Sequence, residues 1–112
     1  METTDIQVIR RLNDEMRFSI FIHKSQVRFT PGVSSLDPLD IIMLMFKIQK
    51  FNDFTTANDP YSEHDFGSID FKNTKYFWKI DYYDKSLEFG SDDPSNPDIT
   101  TRILTIMEAS EY

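Results

Sequence analysis

The chain opens with apolar residues at helical spacing, Ile6, Ile9, Leu12 and Met16, behind a Thr4 and Gln7 pair spaced as a capping box. This pattern predicts a helix over Thr4 to Met16. From Arg17 to His23 the period changes to two, with Phe18, Ile20 and Ile22 alternating against Ser19, Phe21 and His23. That predicts a strand, with an overrun of the first helix into Phe18–Ile20 as the alternative. Gln26 to Thr30 alternates Val27 and Phe29 with polar neighbours and predicts a second strand, which Pro31-Gly32 breaks. Asp37-Pro38 then sets an N-cap carboxylate before a proline at the first helical position. In the helix that follows, Leu39, Ile42, Met43, Phe46 and Lys50 share one face, while Ile41, Leu44, Met45 and Ile48 widen the apolar arc. So much apolar circumference predicts burial on more than one side.

Between residues 65 and 90 the pattern is that of a three-stranded antiparallel meander. Two-residue turns at Asn73-Thr74 and Asp84-Lys85 would set Phe71 against Tyr76, Ile69 against Trp78, Gly67 against Ile80, Leu87 against Tyr82 and Phe89 against Ile80. The large apolar groups then share one face, leaving Ser68, Asp70, Lys79, Asp81 and Glu88 on the other, interleaved with Phe66, Phe77 and Tyr83. After the proline- and acid-rich loop Ser91 to Pro97, Asn96-Pro97 would cap a last helix that buries Ile99, Ile103, Ile106 and Met107. The architecture that buries these faces is α+β: a small antiparallel sheet, containing the meander, with about three helices packed on one side.

Length and composition narrow the class. At 112 residues the chain is expected to form one domain, residues 1–112, and with no cysteine its stability must come from apolar packing, to which ten Phe, five Tyr and one Trp contribute. The longest apolar run, Ile41 to Phe46, is too short to cross a bilayer, and no basic-then-apolar leader pattern opens the chain, so a cytoplasmic protein is expected. Charge is uneven. Residues 1–50 hold seven Lys and Arg against six Asp and Glu, whereas residues 51–112 hold five against thirteen. A field of that sign disfavours direct nucleic-acid binding and suits either simple solubility or a basic protein partner.

Candidate chemistry concentrates between Asp59 and Asp65. Asp59, Glu63, His64 and Asp65 bring oxygen and imidazole donors together just before a strand, and Asp84 would join them in the meander register. Such a group suits a divalent cation, or acid–base catalysis by Glu63, His64 and Asp65. The spacing matches neither a calcium loop nor a two-histidine zinc helix, so the plainer reading is a turn whose acids bond loop amides. With no Cys, no Gly-x-Ser-x-Gly elbow and three glycines in all, nucleophilic catalysis and phosphate loops find little support, and no cofactor is called for. Tyr61 and Tyr83, beside carboxylates and off the core face, are better placed as anchors for an arginine-rich protein surface.

Several of these stretches resemble a known family. Asn58-Asp59-Pro60, Glu63-His64-Asp65-Phe66-Gly67, the run Phe77 to Asp84, and Thr100 to Met107 closing on Ser110-Glu111-Tyr112 are similar to small bacterial proteins grouped as domain of unknown function 3768. The likeness spans roughly Phe29 to Tyr112. It implies an intracellular protein of proteobacteria, often carried on plasmids and other mobile elements, and it transfers no catalytic residue. The resemblance implies glycine at the position where this chain has Ser62.

The function expected from these features is non-enzymatic. An acidic, aromatic-studded sheet face would bind the basic surface of a nucleic-acid-binding protein, for instance a host defence nuclease, by mimicking phosphate charge. Asp70, Asp81 and Glu88 would supply charge, with Tyr61 and Tyr83 as anchors. The alternative is a metal-dependent hydrolase or nuclease using Asp59, Glu63, His64, Asp65 and Asp84. A third reading is a housekeeping scaffold that acts as a homo-oligomer.

Overall fold

A computed structural model describes residues 4–112. Helix α1 (Thr4–Phe18) leads through a short 3-10 turn (Lys24–Gln26) into β1 (Val27–Phe29). A four-residue helix α2 (Pro31–Ser34) and helix α3 (Pro38–Gln49) follow, then β2 (Phe66–Phe71), β3 (Thr74–Tyr83), β4 (Thr101–Glu108) and a closing 3-10 turn (Ala109–Glu111). The strands form one sheet in the order β1-β4-β3-β2. The α+β class is as expected. The sheet is mixed, however, because β1 runs parallel to β4 while the other pairs are antiparallel.

The core lies between the sheet and the long helices. Ile69, Phe71, Tyr76, Trp78, Ile80, Leu104 and Ile106 pack against Met16, Ile20, Leu44, Met45 and Ile48. Trp78 is fully buried, with Phe51 at 5.5 Å and Phe54 at 6.2 Å in edge-on contact. Gly67 lies directly under the indole: a Cβ there would come within 2.3 Å of Nε1 and 2.8 Å of Phe51. Among the described residues no helix is long and apolar enough to cross a membrane.

Several expectations need correction, among them the burial of α3 on more than one side: Leu44, Met45 and Ile48 are buried, whereas Leu39, Ile42, Met43 and Phe46 are exposed. The strand over Arg17–His23 does not form. Helix α1 overruns to Phe18, and bonds from Ser19 to Glu15, Ile20 to Arg17 and Ile22 to Ser19 continue its winding into a turn. Ile20 is fully buried while Phe18 and Ile22 are exposed, so the three apolar residues never share a face. At the other helix start, Pro38 takes the first helical position, but the Asp37 side chain makes no capping bond; its carbonyl accepts from Asp40 and Ile41 instead.

The hairpin turn is Lys72-Asn73, both at positive φ as a type I′ turn requires. It pairs Phe71 with Thr74, Ile69 with Tyr76 and Gly67 with Trp78. The register therefore lies two residues from the one predicted, and since side chains alternate with period two, every residue keeps its face. Trp78 points into the core; Asp81 points the other way, paired with Lys79 at 3.0 Å.

The third meander strand is replaced by β4, the segment predicted as the last helix. Residues 84–100 form a loop touching the sheet through a Tyr83 to Gly90 bridge, and Leu87 and Phe89 are exposed. β4 lies between β1 and β3 and buries both faces, with Leu104 and Ile106 inward and Ile103 and Met107 outward. A strand buried on two sides loses its alternation, and its apolar positions then mimic a helical period. The β-branched content of Thr100-Thr101-Arg102-Ile103-Leu104-Thr105-Ile106 is the signal that favours the strand. The Asn96 side chain accepts a bond from the Asp98 amide and caps no helix.

Gly67→Ala should destabilise the protein by about 1–3 kcal/mol, because the added methyl must displace Trp78 or Phe51 in a packed core. Chemical denaturation checks this, and an unchanged midpoint would refute the close approach.

Candidate functional site

The topology gathers negative charge at one end of the molecule. β2 begins, β3 ends and β4 begins at the same end of the sheet, so the loops 51–65 and 84–100 emerge side by side. The first carries Asp53, Asp59, Glu63 and Asp65 with no Lys or Arg; the second carries Asp84, Glu88, Asp92, Asp93 and Asp98 against Lys85. Most of the excess acid in the second half of the chain therefore belongs to this pole, not to the flat sheet.

The 51–65 loop has no regular structure and is held from outside by a polar stripe on α1. Arg10, Asn13, Asp14 and Arg17 recur at spacings of three and four, so they line one helix face. Arg10 donates to the Ser62 carbonyl at 3.2 Å, Asn13 to the Glu63 carbonyl at 3.0 Å, and Arg17 to the Phe51 carbonyl at 2.6 Å. Asp14 lies 2.9 Å from Nδ1 of His64 and also accepts from Arg17 at 2.8 Å. The imidazole stacks on Phe54 with centroids 3.7 Å apart, and the Arg17 guanidinium lies over Phe54 and Trp78. Within the loop, the buried Asp59 carboxylate accepts from the Glu63 and His64 amides.

A second network joins α1 to the sheet. The buried Asn13 donates to the Tyr82 hydroxyl at 2.8 Å and accepts from Arg102 at 2.6 Å, and Tyr82 donates to Glu63 at 2.7 Å. Burial and the Glu63 bond drive the Tyr82 phenol far above its ordinary range, so it remains a neutral donor. Burial lowers the pKa of Arg102, whose other bond goes to the Pro94 carbonyl at 2.6 Å. These contacts tie the 84–100 loop and the 51–65 loop to one helix.

On the outward side, Tyr61, Asp65, Phe66, Lys79, Asp81 and Tyr112 line a cleft where the 51–65 loop meets the outer sheet face. Tyr61 and Tyr112 are well exposed at its rim. Asp65 is pushed up to about 6, chiefly by desolvation and then by Glu63, with Asp59 and Asp81 adding to the effect. The carboxylates that raise it are Glu63, Asp59 and Asp81, the last already paired with Lys79 at 3.0 Å in the same cleft, so an incoming cation would find Asp65 as the unneutralised acid.

The expected site residues divide accordingly. Tyr61 and Asp81 share this cleft. Tyr83 sits in an adjoining groove with Arg28, Leu87 and Ile103, and Glu88 lies in the 84–100 loop. Asp70 lies near the far end of the sheet, across from Lys75. With Asp81 paired to Lys79 as well, the sheet face carries no continuous row of acids. Of the alternative catalytic and metal residues, Asp59, Glu63 and Asp65 are neighbours, and His64 is engaged by Asp14 and Phe54. Asp84 bonds Ser86 and the Glu88 amide in a separate turn, contacts that lower its pKa. Among the described residues, no three His, Cys, Asp or Glu side chains form a metal-ligand group. The helix residues Asn13, Asp14 and Arg17, and Arg102 on β4, were not singled out from the sequence. Their polar helical periodicity on α1 was the available sign.

Two tests follow from this geometry. Asp65 has a folded-state pKa above its unfolded value, so its support for the fold is complete below about pH 4 and is lost as pH rises through about 6. Asp65→Asn should therefore stabilise the protein near about pH 8 by on the order of 1 kcal/mol, discounted for partial exposure, with no gain near about pH 4. Thermal melts across that range decide it. Ser62 has φ 60°, a left-handed conformation that favours glycine. Ser62→Gly should leave the midpoint unchanged or raise it by up to about 1 kcal/mol of stability; a loss of stability would contradict this backbone.

Compared with known proteins, the chain matches a family model described as "Protein of unknown function (DUF3768)" over residues 29–111. Among curated proteins and solved structures, nothing matches.

Proposed function

The chain belongs to the DUF3768 family across residues 29–111, and on its own residues we propose that it acts by binding a protein with a basic surface. The observation that carries the reading is the cleft between the 51–65 loop and the outer sheet face. Asp65 and Asp81 line it together with Lys79, which pairs with Asp81 at 3.0 Å, and the exposed rings of Tyr61 and Tyr112 rim it. A guanidinium entering there would meet carboxylate oxygens and aromatic faces together, the combination that anchors arginine at interfaces. The acids of the 84–100 loop, including Glu88, extend the same negative field and would steer a basic partner toward the pole.

The partner class we favour is a nucleic-acid-binding protein whose phosphate-contacting surface the pole would occupy. This places the mimicry of phosphate in the two loops and in Asp81, with Tyr61 as the anchor. Asp70 takes no part in it. The fixed framework supports this reading, since α1 holds the loop through its backbone and leaves Asp65 and Tyr61 facing outward.

Calorimetric titration with an arginine-rich peptide tests the proposal. Binding should weaken steeply from low to high salt, and should fall about tenfold in Asp65→Asn and in Tyr61→Ala. It should also weaken as pH drops through about 6, where Asp65 takes up its proton. No binding at low salt, or equal binding by both variants, would overturn it.

A further inference from the structure

Helix α3 satisfies only half of its apolar circumference within the chain. Leu44, Met45 and Ile48 are buried against the sheet, but Leu39, Ile42, Met43 and Phe46 are 73%, 41%, 50% and 48% exposed. These four recur at spacings of three and four, so they form one continuous stripe along about 11 Å of helix. Phe46 lies against Phe21 with ring centroids 4.8 Å apart. The same side of the molecule carries a groove that Phe29, Ile41 and Ile42 line. At the other end of the helix, Gln49 bonds the Phe18 carbonyl. Phe18 is 55% exposed and Phe29 39%.

At roughly 200 Å² for a fully exposed large side chain, these six residues expose on the order of 600 Å² of apolar surface. That is the upper end of what a monomer leaves uncovered. It approaches the ~800 Å² that each partner contributes to a standard interface.

We propose that this face is where a second copy of the chain docks, with the two α3 helices packed antiparallel about a two-fold axis between Ile42 and Met43. Two features of the helix argue for a copy of itself. The stripe is symmetric about its centre: antiparallel pairing sets Leu39 against Phe46 of the other copy and Ile42 against Met43, large against large throughout. Charge along the helix is also self-complementary. Asp37 and Asp40 stand at the N-terminal end, Asp40 already paired with Lys72 at 3.0 Å, which leaves Asp37 to face Lys47 and Lys50 at the C-terminal end of the other copy. Antiparallel packing brings opposite charges and opposed helix dipoles together, whereas parallel packing would align like charges. The acidic pole plays no part in this contact, so the dimer and the proposed partner binding stand or fall separately.

Sedimentation across the micromolar range should show a concentration-dependent monomer–dimer equilibrium. Met43→Glu places two carboxylates beside the axis and should weaken dimerisation at least about tenfold while leaving the circular dichroism spectrum unchanged. The chain has no cysteine, so register can be read directly. On oxidation, Leu39→Cys chains mixed with Phe46→Cys chains should cross-link to each other. A monomer at every concentration, a Met43→Glu variant that still dimerises as tightly, or cross-linking of Leu39→Cys chains to themselves would overturn the proposal.

Discussion

The acidic pole depends on the polar stripe of α1. The 51–65 loop has neither a strand partner nor a helix of its own, and like charges along it oppose compaction. Arg10, Asn13, Asp14 and Arg17 supply what it lacks. Arg17 is the costliest of the four to place, since a guanidinium that is nearly sealed from water must have its donors satisfied. It bonds Asp14 and the carbonyls of Phe51 and Ile48 and rests on the rings of Phe18, Phe54 and Trp78, while its buried Nε–H has no hydrogen-bond partner among the described residues. Loss of any of these groups leaves a buried charge partly uncompensated, so the helix, the loop and the indole at the centre of the core behave as one cooperative unit.

That arrangement sorts the carboxylates by role. Asp59 and Glu63 turn inward and hold loop amides and the Tyr82 hydroxyl, whereas Asp65 and Asp81 face the cleft. Asp65 carries the electrostatic cost of this sorting: it is desolvated beside its acidic neighbours and its pKa is pushed up to about 6. The opposite case is Glu111, fully exposed, whose carboxylate accepts from Thr30, Gly32 and the Glu108 amide and is held below the usual carboxylate range. Glu111, which closes the fold, is given three donors, whereas Asp65 at the cleft has its own backbone amide, which offsets only part of the cost of burial.

Much of the sheet was legible because alternation survives an error in register. The β2–β3 pairing was displaced by two residues, yet Trp78 and Asp81 were assigned to the correct faces, since a shift of two preserves sidedness. β4 was not legible by the same rule, because burial on both faces erases alternation and leaves apolar residues at spacings that also suit a helix. The Arg17–His23 segment failed for the opposite reason: its alternation is real in sequence, but Ile20 is buried at a turn and its neighbours are not. Of the site, the 59–65 cluster could be read from residue types. Its clamp could not, because it joins residues about fifty positions apart through contacts that are mostly to main-chain oxygens.

Those main-chain contacts also bear on how the family match should be understood. The matched stretch, residues 29–111, contains the 51–65 loop and the 84–100 loop but not α1, which holds the first of them. Arg10, Asn13 and Arg17 reach carbonyls of Ser62, Glu63 and Phe51, and an oxygen of the backbone is present whatever side chain the position carries. The helix thus reads the path of the loop more than its sequence, with His64 the exception through Asp14. A loop held in this way keeps its shape while its outward residues change, which is the property a recognition surface needs and a packed core does not. Ser62 is consistent with that latitude: the backbone at this position bends into a conformation suited to glycine, and the Arg10 bond to its carbonyl is indifferent to the side chain that occupies it.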